Sequence, residues 1–285
     1  MTPLSAQTPR LSRNPLNRLA LAAAVLLSLA GITSAESARG VETLESTQAL
    51  NAASLNRMVL RAVQSMPTGG GYSTNGTGRL LASAIQIDAD RGSLNLDAEV
   101  AKPSFCSGAT YLVLLNVLEQ ALKANAVALP PTSLASLKVA GQSDGEGIWG
   151  RWNANGPGTA KLFHDLQIGV NFTGLEHAVP GDFLKIFWTD EIGSRERGHS
   201  VIFMGTGVAA TGEKTVRFWS SNQGEGYGEK AVPLSKAKRM LFSRLTNVRA
   251  LENISSLPAK DQYLAAMLKR PSTPTEMHKV CGVHD

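Results

Sequence analysis

The chain has 285 residues, 43% of them hydrophobic and 18% charged, enough for one large core or two small ones and not a disordered composition. Three of its 28 basic side chains, Arg10, Arg13 and Arg18, lie in residues 1–35, which carry no acid. The remaining 25 basic against 23 acidic side chains leave a nearly neutral body, which gives no reason to expect a nucleic-acid partner.

Residues 1–35 have the layout of a secretory signal. A basic region ends at Arg18, LALAAAVLLSLAGI covers 19–32, and Thr33-Ser34-Ala35 offers small residues before a cut after Ala35. The apolar run is shorter than the about 20 residues that span a membrane, so no stable membrane insertion is expected after cleavage. The mature protein, 36–285, is expected in a periplasm or outside the cell. Residues 36–98 read as a helical N-terminal region. Leu44, Leu55, Val59 and Val63 mark a helix over 41–65, and Pro67 and Gly69-Gly70-Gly71 end it. The glycines predict a turn rather than a phosphate loop, because no Gly-Lys-Ser/Thr follows. A short helix is predicted near 79–87, then polar, turn-rich residues 89–103.

Ser104 is placed to cap a helix over Phe105–Ala124. Leu112, Leu115, Leu118, Leu122 and an apolar opposite face predict burial on several sides. Residues 127–160 are loop-rich, with a weak helix near 133–138 and the Gly-rich segment GEGIWGRWNANGPG at 145–158. A helix near 159–166 follows. FLKIFW at 183–188, SVIFMG at 200–205, TVRFWSS at 215–221 and RMLFSRL at 239–245 predict strands. Helices near 247–254 and 260–269 finish the body, and the tail after Pro271 reads as loose. Helices first and strands later predict an α+β domain.

Cys106 falls in the first turn of its helix. The dipole and the unpaired amides there stabilise a thiolate. Gly108 allows close approach of a substrate. The competing reading is a disulfide to Cys281, the one other cysteine of an exported chain. His199 opens a strand and shares a face with Val201 and Phe203. Asn222 ends the next strand on a face with Val216, Phe218 and Ser220. Adjacent strands then present His199 and Asn222 side by side, where the amide oxygen fixes the imidazole tautomer. Ser220 does this less well. A surface histidine and a polar turn are the plainer readings. Trp149, Trp152, Asn153 and Asn155 either line a groove for a peptide or glycan or pin a loop to the body. His278, Cys281 and His284 have metal-like spacing without a fourth ligand, and a solvated tail is preferred. Asn75, Asn171 and Asn253 begin glycosylation sequons.

FCSGATY at 105–111 resembles the helix start of NlpC-type cysteine peptidases. PGDFLKIFW at 180–188 and GHSVIFMG at 198–205 resemble their next two strands. SSNQGEGYG at 220–228 is similar to the Asn-bearing strand end of CHAP amidases. Both families are papain-like, and the four patches, in the right order, cover about residues 103–228. The resemblance implies a papain-like α+β fold, in which a buried helix carrying the Cys packs on an antiparallel sheet carrying His and Asn. A catalytic domain at 99–270 with an insertion at about 127–178 and a tail at 271–285 follow from it. It implies a Cys106–His199–Asn222 thioester mechanism, with the Cys106 backbone N–H as oxyanion donor. Ser107 and Ser220 join Trp149 and Trp152 as expected substrate contacts. The implied substrate is peptidoglycan or another peptide, and no cofactor is implied.

The chain departs from the pattern in places. Ninety-three residues separate Cys106 from His199. Trp219 stands nearest the third His of NlpC relatives, and Ser220 stands at the acid of CHAP relatives. Phe105 replaces the Asp before the Cys. No Tyr of the oxyanion-assisting kind shortly precedes the Cys, and Tyr72 is the nearest upstream. A transferase keeps the same fold and thioester. A non-catalytic binding protein stapled by a Cys106–Cys281 disulfide is the reading from another class.

Overall fold

The structure, a computed structural model, describes residues 50–283. The expected signal, the first helix before residue 50, and His284 lie outside the described residues.

Helix α1 (Ala52–Ser65) starts at Asn51, whose side chain accepts from the Ser54 N–H at 2.9 Å. It buries Leu55, Met58, Val59, Ala62 and Val63, a stripe at helical spacing. The glycines then form a short strand, β1 (Gly69–Gly70). Helix α2 (Thr77–Ala84) leads into a hairpin of β2 (Ile85–Asp88) and β3 (Ser93–Leu96). The expected helix near 79–87 ends early because Ile85, Ile87, Leu94 and Leu96 alternate with polar residues, a strand period. Residues 50–98 are therefore not helical throughout. They share one core with α3 (Cys106–Lys123), which is buried on nearly every side.

Residues 127–160 are more structured than their loop-rich composition predicts, and the helix expected near 159–166 forms within the segment 127–178. That segment holds α4 (Pro131–Ala135), α5 (Gly147–Trp152), α6 (Gly158–Leu166) and strand β4 (Gly169–Phe172). The strands that follow are β5 (Phe183–Phe187), β6 (Ile192–Gly193), β7 (Gly198–Val208), β8 (Lys214–Asn222), β9 (Gly226–Pro233) and β10 (Arg239–Leu245). Seven strands make one antiparallel sheet in the order β1-β9-β8-β7-β5-β10-β4. The protein is thus a mixed α+β structure built on a large antiparallel sheet. On one face Phe183, Ile202, Trp219 and Leu245 join the core around α3. On the other, Leu184, Ile186, Val201, Phe203, Phe218 and Phe242 form a second cluster. Burial on both faces explains why these strands are nearly continuous apolar runs.

The C-terminal residues correct the expectation of a loose tail. After a 3-10 helix (Val248–Ser256) and α7 (Gln262–Ala266), β11 (Pro271–Ser272) pairs with β6. Thr273 caps α8 (Pro274–Val280), accepting from the Glu276 N–H at 3.1 Å. Met277 and Cys281 then pack into a third cluster with Phe187, Ile192 and Leu241. Among the described residues, no helix is long and apolar enough to cross a membrane.

Candidate active site

Register brings His199 to Asn222. Ile202 pairs with Trp219 and Phe203 with Phe218, and the same antiparallel count sets His199 opposite Asn222. A bulge between Phe203 and Gly205 confines this register to the strand's first half. His199 Nε2 lies 3.2 Å from Asn222 Oδ1. The buried amide has no freedom to turn over, because its Nδ2 donates to the Ser220 carbonyl at 3.2 Å and the Gly228 carbonyl at 2.8 Å. Oδ1 therefore faces the ring and accepts from Nε2–H, which leaves Nδ1 bare for a second partner. Phe218 meets the imidazole edge-on, with centroids 5.6 Å apart, and Trp188 flanks it at 6.4 Å.

That second partner is Cys106. It is half-buried and is the first residue of α3. Phe105 occupies the cap position in an extended conformation, and no side chain caps the helix, which corrects the role expected of Ser104. The Ser104 hydroxyl instead lies 3.5 Å from the Phe105 carbonyl. The dipole's positive end is thus left open toward the sulfur. Burial pushes the Cys106 thiol up. The hydrogen bond and charge of His199, a backbone hydrogen bond from Ser200 and the charge of Lys185 together outweigh it and bring the thiol down to about 6. At neutral pH the sulfur is then mostly thiolate, the nucleophilic form. Gly108, expected to give a substrate room, packs against the Phe105 ring instead.

Tyr72 completes the cluster, and no local pattern placed it there. Gly69 and Gly70 pair with Tyr227 and Gly226 on β9. The chain next runs beside residue 104: the Ser104 N–H donates to the Gly71 carbonyl at 3.3 Å, and the Ser73 N–H donates to the Ser104 carbonyl at 2.9 Å. Tyr72, between them, is carried to the sulfur two residues along, where its hydroxyl hydrogen-bonds Cys106. Burial, the charge of Cys106 and that hydrogen bond push the phenol up to about 12, so it stays a proton donor. The glycines are required. Gly69, Gly70 and Gly71 have φ of 65°, 86° and 77°, and a Cβ on Gly226 would strike the Gly69 backbone. The expected turn is therefore a close-packed edge strand. Three glycines before an aromatic residue were the available signal.

The other expected contacts do not line the cleft beside His199. Trp152 is 1% exposed, donates from Nε1 to the Ser107 carbonyl at 3.0 Å, and packs on Phe183. Trp149 is buried against Phe105 and Tyr111. Of the two readings of that loop, the structure takes the pinned one, because α5 turns both indoles inward. The buried Ser107 hydroxyl bonds Asn153 at 2.5 Å, and the buried Ser220 hydroxyl bonds the Ser200 carbonyl at 2.7 Å. All four substrate-contact expectations are corrected by this burial. The cleft beside His199 has a volume of about 440 Å³ and is lined by Tyr72, Trp188, Arg197, Gln223 and Lys230.

Both cysteines are free thiols, which corrects the disulfide expectation: Cys106 faces His199, whereas Cys281 is enclosed in the third cluster. Among the described residues, no group of three or more His, Cys, Asp or Glu is arranged to hold a metal ion. Asn171 is buried, with Nδ2 donating to the Ala160 and Cys281 carbonyls at 2.7 Å, so its sequon is closed to glycosylation in the folded protein. Compared with protein-family models, curated proteins and solved structures, the chain matches none of them.

Proposed function

We propose that this protein is a cysteine hydrolase of papain-like architecture that cleaves amide bonds through a thioester. The observation that carries this reading is the continuous chain from Cys106 to His199 to Asn222, in which the amide is locked and the thiol is lowered to about 6. A disulfide-stapled binding protein has no use for such a chain, and both thiols are free.

This reading entails a two-step acyl transfer. His199 Nδ1 holds the proton of Cys106, and the sulfur attacks the amide carbonyl carbon. The carbonyl electron pair moves to oxygen, for which this reading takes the Cys106 backbone N–H and the Tyr72 hydroxyl as donors. His199 passes its proton to the leaving nitrogen as the C–N bond breaks and a thioester forms. Water then gives a proton to His199 and attacks the thioester carbon. The acid departs and the thiol is restored.

The substrate follows from analogy with the resembled families: the peptide part of bacterial cell wall, reached after export to the periplasm or beyond. The open cleft beside His199 supports a peptide-sized substrate. The test is digestion of purified peptidoglycan and of its soluble stem peptides, followed by mass spectrometry, with native protein and Cys106→Ala. Native protein is expected to release amide-cleavage products, and the variant to lose about 10⁴-fold or more in rate with its melting temperature unchanged. Equal rates for the two proteins overturn the reading.

A further inference from the structure

The cleft beside His199 is walled on one side by the end of β5 and the start of β7. Their register continues one step past the strands. Phe187 pairs with Gly198, and the Trp188 N–H donates to the Arg197 carbonyl at 2.8 Å, which sets Trp188 opposite Arg197. Arg197 therefore lies two residues before His199 on the same face, about 7 Å along the strand. The Trp188 ring, opposite Arg197, also flanks the imidazole. The backbone is held on the preceding side as well. Glu196 Oε1 meets Lys185 Nζ at 2.7 Å, and Glu196 Oε2 accepts from the Gly156 and Gly193 N–H groups at 2.6 and 2.9 Å. Arg197 thus lines the cleft on a backbone anchored from both sides. Its side chain is exposed and, among the described residues, makes no hydrogen bond or ion pair.

The other charges lining the cleft cancel. Glu196 is matched by Lys185, and Lys230 by Glu225 at 3.0 Å. Cys106 and His199 sum to zero whichever of them holds the shared proton, and Tyr72 keeps its own. Arg197 is left as an uncompensated positive charge beside an aromatic wall of Trp188 and Phe218. A guanidinium offers two parallel N–H donors that match the two oxygens of a carboxylate. Resting on the cysteine-hydrolase reading, we propose that Arg197 is a specificity-determining residue that takes a carboxylate of the peptide substrate. The spacing to His199 is that of about two extended residues, so the carboxylate belongs one or two residues from the cleaved amide.

The experiment uses soluble stem peptides with free carboxylates and the same peptides with those carboxylates converted to amides. kcat and KM are measured on both forms for the native protein, Arg197→Ala, Arg197→Lys and Arg197→Glu, with Cys106→Ala as the inactive control. Arg197 is exposed and unpaired, so its variants are expected to fold, which melting temperature checks. The native protein is expected to prefer the carboxylate form about tenfold in kcat/KM, chiefly through KM, and the preference narrows as salt is raised. Arg197→Ala raises KM for the carboxylate form about tenfold and erases the preference, and Arg197→Glu inverts it. Arg197→Lys keeps part of it, because the charge stays and the planar fork is lost. A merely solvated arginine moves none of these. A native preference in Arg197→Ala, or equal cleavage of both forms by the native protein, overturns this inference; turnover that Cys106→Ala abolishes leaves the hydrolase reading standing. If the native protein cleaves neither form, that reading falls, and calorimetric binding of the two forms to Cys106→Ala decides the arginine separately. Tighter binding of the carboxylate form, lost in Cys106→Ala/Arg197→Ala, supports the inference, and equal or absent binding overturns it.

Discussion

Cys106 and Cys281 are both free thiols, both shielded from bulk water to a degree, and both lie at a helix end. Burial pushes each of them up. At Cys106 a histidine, a backbone donor and a lysine reverse that push and bring the thiol to about 6. At Cys281 burial is the main influence. The lowering by Lys161 is opposed by Asp165 and Asp261, and the thiol stands at about 12. Cys106 also sits at the positive start of its helix, whereas Cys281 sits at the C-terminal end of α8, where carbonyls gather. Reactivity in this chain is therefore a property of what surrounds the sulfur, and burial by itself makes a thiol inert.

The sharpest way to break the contrast is to remove the histidine. His199→Ala is expected to lower kcat/KM about 10³- to 10⁴-fold and to move the labelling midpoint of Cys106 toward the ordinary thiol value of 9.0. Steady-state kinetics and pH-dependent alkylation read the two effects. Tyr72→Phe keeps the ring and removes one donor. A kcat loss of about 10²-fold with little change in KM is expected, and an unchanged kcat removes Tyr72 from the oxyanion site. Asn222→Ala frees the imidazole to rotate and strips partners from the Ser220 and Gly228 carbonyls. A further drop of about 10- to 100-fold in rate is expected, with a stability loss of about 1–3 kcal/mol in urea titration.

Cys281 supplies the small end of the series. Cys281→Ala is expected to cost about 1 kcal/mol and to leave turnover unchanged. That cost shrinks as pH rises. The folded protein keeps Cys281 protonated to about 12, whereas the unfolded chain releases that proton near 9, so stability is full below pH 9 and falls as pH rises above it. The slope is about 1.4 kcal/mol per pH unit for one such group. Tyr227 and Tyr263, both pushed up to about 12 by burial, add to the loss above pH 10. Urea titrations at pH 8 and 9.5 should show the native protein losing more stability than Cys281→Ala over that interval.

The parts of the site readable in the sequence were those set by short-range periodicity. A cysteine at a helix start is local, and period-two alternation puts His199 and Asn222 on matching faces once β7 and β8 are neighbours. Tyr72 was unreadable because its place depends on two pairings distant in sequence, one with β9 and one with residue 104. The tryptophans were misplaced because their polar neighbours Asn153 and Asn155 suggest a surface, while α5 turns both indoles inward. Strand β9 was hidden by its glycines and its exposed Glu229 and Ala231. The C-terminal helix does not stand out in the sequence because it is short and few of its side chains, Met277, Val280, Cys281 and Val283, make its apolar contacts.

The strand at Gly69–Gly70 also sets an order of events in synthesis. Its hydrogen-bonding partner, β9, begins at residue 226, so a growing chain exposes Tyr72 and Cys106 long before the strand that seats the tyrosine exists. His199 and Asn222 likewise arrive late. A chain interrupted before residue 226 carries its cysteine without the strand that seats Tyr72. The full cluster of Tyr72, Cys106, His199 and Asn222 is thus assembled only once β9 has been made.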